Sequence, residues 1–234
     1  MRFFIIIFFL LAISACETNQ PRRVVQQLNY DLRIADPTKK EVFIEDIGIS
    51  LTPISLQRAK TMENLYLSYL VYNPKNTRNR AMERGIMINL PAFEVQVTNL
   101  SKQSINFQRV AMRMVDDAGN TYEPQLKQDI IDFADQKIEN SLSRGWALDR
   151  QAAMRPAKSL KLFDKNYEGF PNIVEKRILT FDTANAMNEN SYRQMMKGSK
   201  YMKVMLYNVP VKFDQAGSVS KVANFEYVFD VIKK

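Results

Sequence analysis

Apolar and polar positions alternate along most of this chain, and the alternation has the two-residue period of strands half-buried against a core. Val42, Ile44, Ile47, Ile49 and Leu51 form the first strand-like segment, with a change of phase at Glu45-Asp46 that a β-bulge accommodates. Leu65 to Tyr72 is aromatic and β-branched enough for a strand buried on both faces or at an interface, and Pro74 ends it. Phe93, Val95 and Val97 alternate with Glu94, Gln96 and Thr98, and Asn99-Leu100-Ser101-Lys102 turns the chain into Ile105-Asn106-Phe107, which predicts a hairpin. Its second arm continues through Val110, Met112 and Met114 to a turn at Asp116-Asp117-Ala118-Gly119-Asn120. The last two strands run from Tyr201 to Phe213 and from Val222 to Ile232, joined at Gln215-Ala216-Gly217-Ser218.

One stretch breaks the rhythm. Leu126, Ile130, Phe133, Ala134, Ile138 and Leu142 fall at helical spacing, so an amphipathic helix is inserted there. A second helical piece follows from Trp146 to Met154, and Arg155-Pro156 closes the insertion, which spans about residues 125–155. Trp146, the sole tryptophan, either plugs the helix against the sheets or anchors a ligand. Strands resume at Leu160 and Leu162 and at Ile178 to Phe181, and a surface excursion from Thr183 to Gly198 holds one helical turn near Tyr192–Met196. With about eight strands, the pattern predicts a mainly β protein, an antiparallel sandwich carrying a helical insertion. The strand pair from Phe93 to Tyr122 resembles the core of immunoglobulin-like domains found in bacterial envelope lipoproteins.

The amino terminus follows a different logic. Arg2 precedes an unbroken apolar run from Phe3 to Ile13, too short to span a bilayer but of the length of an export signal. The run ends in Ile13-Ser14-Ala15-Cys16, which resembles the lipobox of bacterial prolipoproteins. That resemblance implies cleavage after residue 15, acylation of Cys16 and stable attachment to a membrane, because two or more acyl chains anchor firmly. Glu17 stands where an aspartate retains lipoproteins at the inner membrane in enteric bacteria; for a Gram-negative source this favours the outer membrane, facing the periplasm. Residues 16–40 are polar, with Pro21 and Pro37, and read as a tether; residues 41–234 read as a single domain.

Composition narrows the chemistry. There is no histidine, and Cys16 is the only cysteine, so the mature chain has no free thiol for disulfides, Cys–His nucleophiles or the usual zinc sites. Ser218 and Lys221 have S-x-x-K spacing but sit in a hairpin turn, where the lysine has no reason to lose its proton. Asp116, Asp117, Asp129 and Asp132 are the carboxylates a glycosidase would need, yet the first two read as turn formers and the others as the polar face of a helix. Asp116, Asp117 and Asn120 do not match a calcium loop either. No cofactor, metal or nucleic-acid partner is expected. A net charge of +8 favours anionic surfaces, and Lys75, Arg78, Arg80 and Arg84 crowd one polar loop that could meet an anionic envelope polymer or lipid head group. The expectation is a non-enzymatic binding or scaffolding subunit of the cell envelope with a protein partner. A carrier for an apolar or anionic ligand is the alternative, since 12 methionines and the many Phe and Tyr residues could line an adaptable cavity.

Overall fold

The computed structural model describes residues 30–62, 66–72, 81–87, 90–145, 147–182 and 189–233. Folding starts earlier than expected, inside the stretch assigned to the tether. Strand β1 (Tyr30–Ile34) pairs antiparallel with the last strand of the chain, Tyr30 opposite Lys233 and Ile34 opposite Phe229. Five residues with Asp31 and Arg33 among them are too few and too polar to register as a strand until a partner is present. Part of residues 16–40 is therefore built into the larger sheet. After a 3-10 turn at Pro37–Lys39, capped by the Asp36 side chain, β2 (Glu41–Ile44) and β3 (Ile47–Ile54) follow. The phase change at Glu45-Asp46 is the turn of a hairpin and not a bulge: Ile44 lies opposite Ile47, and Glu45 takes φ 54°.

A short helix, α1 (Leu56–Thr61), leads to the pair β4 (Tyr66–Tyr72) and β5 (Ala81–Met87). Arg84 is thus on a strand, opposite Tyr69, and not in the loop. The remaining strands are β6 (Ala92–Asn99), β7 (Ile105–Asn106), β8 (Ala111–Asp116), β9 (Thr121–Tyr122), β10 (Glu168–Gly169), β11 (Glu175–Thr180), β12 (Tyr201–Phe213) and β13 (Val219–Lys233). Two antiparallel sheets, ordered β1-β13-β12-β8-β9 and β11-β6-β3-β2, pack together.

The hairpin expected between β6 and the segment after it does not form. β6 pairs with β3 and β11, β7 with β10, and β8 with β12 and β9, so the chain crosses from one sheet to the other between Asn99 and Ala111. A buried Asn99 fixes the crossing. Its amide donates to the carbonyls of Gln103 and Gly169 at 2.8 and 2.9 Å, and its Oδ1 accepts from the Ser101 backbone N–H and hydroxyl.

Between the sheets, Phe93 packs against Phe181 and Phe229, while Phe107, Phe163 and Tyr167 form a second aromatic cluster. Tyr227 ties the layers together by donating its hydroxyl to the Ile49 carbonyl at 2.6 Å. Helix α2 (Lys127–Ser143) forms as its periodicity requires, burying Ile130, Ala134 and Ile138. Helix α3 (Arg150–Ser159) starts later than expected and continues through position 156, where the sequence predicts a stop. A proline inside a helix costs about 3 kcal/mol. That cost is met by the Asp149 cap on the Gln151 and Ala152 N–H groups, by burial of Ala153, Met154 and Ala157, and by Arg150 bridging to Asp135 and Glu139 of α2. Helix α4 (Glu189–Gly198) is longer than the single turn predicted, and Tyr192 and Met196 seat it on the core. No helix among the described residues is long and apolar enough to cross a membrane.

Candidate functional site

Strand direction gives the sandwich two distinct ends. The near end is where the chain enters: Tyr30 lies beside Lys233, and the 116–120 turn and the start of β12 are there too. The far end, reached by the β12–β13 turn, gathers three other loops. The Leu100 N–H bonds the Asp46 carbonyl, the Asn172 N–H bonds the Asn99 carbonyl, and Lys221 pairs with Glu45 at 2.6 Å. The Gln103 side chain closes over Gly217, whose φ of 83° makes the last turn.

These loops carry apolar side chains outward. Phe43, Leu100, Phe170, Ile173, Val174 and Val219 are all roughly half exposed, with Leu100 at 57% and Ile173 at 55%. They are six of the nine exposed large hydrophobic residues among the described ones, so the exposure is concentrated at one end and not scattered. Concentrated apolar exposure of this kind is uncommon on a monomer and makes the far end the candidate site. Phe43 is partly seated, since its ring lies over the backbone of Gly48. The loops at residues 43–47, 99–104, 168–175 and 212–221 hold three lysines against five carboxylates, in a chain whose overall charge is +8. With Arg177 and Lys161, the ion partners of Glu175, the far end is close to neutral and lacks the positive excess an anionic surface would call for.

A second feature lies on the flank of the sandwich. An open cleft of about 320 Å³ runs beside Val110 to Arg113, with Pro124 and Leu126 along one wall and Asp164 and Lys165 at the mouth. Arg113 and Glu123 pair across it at 3.2 Å.

The residues singled out from the sequence fall elsewhere. Cys16, Trp146, Lys75, Arg78 and Arg80 lie outside the described residues, and Arg84 is placed only by the backbone of β5. Lys221 of the S-x-x-K spacing is held in an ion pair with Glu45, and Asp214 caps the Ser218 N–H. Asp116 closes its own turn, accepting from the Ala118 and Asn120 N–H groups, the Asn120 amide and the Tyr122 hydroxyl. Burial pushes its carboxyl up, but these hydrogen bonds together outweigh burial and hold it below the ordinary value. Burial and the neighbouring Asp116 raise the Tyr122 phenol to about 12. Asp117 accepts from the Lys200 N–H, Asp129 caps α2 at Leu126, and Asp132 accepts from Gln128. Each of the four carboxylates is occupied in holding local structure.

The far-end residues were not singled out by sequence reasoning. Their one signal is an apolar residue inside a turn-forming stretch, as in Asn99-Leu100-Ser101 and Phe170-Pro171-Asn172-Ile173. Comparison with known protein families, characterised proteins and solved structures returned no match.

Proposed function

We propose that this chain is a lipid-anchored, extracytoplasmic protein of the cell envelope, with an immunoglobulin-like sandwich whose far end docks another protein. It acts as a binding or scaffolding subunit and not as an enzyme. The observation that carries the reading is the concentration of exposed apolar side chains at the end opposite the one where the chain enters. From Cys16 to Tyr30 the chain can reach at most about 50 Å. The 15-residue strand β13 adds about 50 Å more between the two ends. A lipid on Cys16 thus allows the far end to stand up to about 100 Å from the membrane that holds it. The near-neutral charge there favours a protein surface over head groups or anionic polymers. The open, edge-lying cleft suits the carrier alternative poorly, since carriers bury most of an apolar ligand.

The test has two arms. Mass spectrometry of the mature amino terminus should find acyl chains on Cys16, and a Cys16→Ser form should leave the membrane fraction. Photo-cross-linking residues placed at Leu100 and Ile173 in cells should capture one protein that a probe at Tyr201, on the near end, does not. Equal capture from both ends, or none from the far end, refutes the docking role; an unacylated Cys16 refutes the anchor.

A further inference from the structure

We infer that the flank cleft is a strand-addition site, in which an extended segment of a partner protein pairs with the open edge of β8. The inference rests on main-chain geometry and is independent of the far end. The Asp116 N–H bonds the Asn120 carbonyl at 3.1 Å, so the even-numbered residues of β8 turn their peptide groups toward β9 and the odd-numbered ones toward β12. β9 covers only Met114 and Val115. The next position across from Met112 is Pro124, which has no N–H to give. The chain there leaves β8 for the other sheet: the Gln125 N–H bonds the Thr180 carbonyl at 2.9 Å, and the Asp182 N–H bonds the Glu123 carbonyl at 2.8 Å. No described residue takes the vacated place, and the Met112 N–H and carbonyl face the cleft.

The lining confirms which side of the strand is open. Val110, Ala111, Met112 and Arg113 are consecutive, and their side chains alternate between faces. All four can border one cleft only if it runs along the backbone edge. Such an edge recruits strands. The Val110 N–H is taken by the Phe107 carbonyl, so Met112 supplies the one donor and acceptor pair of this edge, enough to hold an extended segment of two or three residues. Leu126, 43% exposed, together with Pro124 and Val110 offers an apolar seat for one side chain of that segment. Arg113 and Lys165 balance Glu123 and Asp164 around the mouth, so the segment is uncharged at its centre.

The experiment uses the full mature chain carrying Cys16→Ser, with randomised heptapeptides displayed as the probe and the best binder then synthesised. Leu126→Asp should weaken that peptide about tenfold or more while leaving the melting temperature unchanged. N-methylation at one central peptide position should cost about tenfold, because it removes a main-chain donor. Hydrogen exchange should slow at the Met112 amide on binding and stay unchanged at Arg113, already paired with β12. If no peptide is selected, or binding ignores both N-methylation and Leu126→Asp, the strand-addition site does not exist. A peptide that slows far-end amides and not Met112 contradicts it equally.

Discussion

The two ends of the sandwich solve the same problem in opposite ways. At the near end, polar groups close the structure: Asp116 takes four hydrogen bonds, Asp117 holds the Lys200 N–H, Gln125 meets Thr180 and the Tyr192 hydroxyl reaches the Tyr30 carbonyl. At the far end a polar frame built on Asn99 and Ser101 is equally complete, yet Leu100, Phe170, Ile173 and Val174 project beyond it. Apolar residues left half in water together at one place are what the proposed docking role would account for.

The largest contrast comes from removing one residue at each end. Asp116→Ala strands the groups that converge on the carboxylate and should cost about 3 kcal/mol by urea denaturation. The same carboxylate makes the near end sensitive to acid. Its folded pKa lies below the unfolded value of about 3.9, so the stability it adds is present above that value and lost as pH falls through the folded one. Thermal melts should therefore drop below about pH 4 in the parent, and the drop should shrink in Asp116→Asn. A parent curve flat from pH 5 to pH 2 contradicts this.

Smaller is the effect of Tyr227→Phe, which removes the hydroxyl that bridges the two sheets. It should cost about 1 kcal/mol in the same assay, with the Ile49 carbonyl losing its donor. The smallest effect on stability belongs to the far end. Leu100→Asp with Ile173→Asp should shift stability by less than about 0.5 kcal/mol, yet abolish partner capture. A large loss of stability would show that these side chains serve the fold. Away from both ends, changing Lys75, Arg78, Arg80 and Arg84 to Gln should weaken binding to anionic vesicles by about 1 kcal/mol per charge if that cluster meets head groups.

Legibility in the sequence followed the range of the interactions. The carboxy-terminal hairpin was readable because Phe225, Tyr227, Phe229 and Val231 alternate into one core and Gly217 supplies the turn. Helix α2 was readable because Ile130, Ala134 and Ile138 repeat on one face. The crossing after β6 was not. A strand, a polar turn and another strand spell a hairpin locally, and what diverts the chain is the Asn99 amide bonding Gly169, 70 residues away. β1 was missed for the same reason, since its pairing partner lies at the other end of the sequence. The β3, β6 and β11 arrangement and the far-end patch share this origin: loops distant in sequence become one surface only after the sheets have packed.

The most direct test of the account is the position dependence of capture in living cells. With Cys16 intact, cross-linkers at Leu100 and Ile173 should yield the same single protein, Tyr201 should yield none, and the Cys16→Ser form should lose the product. Capture that is indifferent to position, or unchanged without the acylated cysteine, would contradict an anchored subunit whose far end holds its partner.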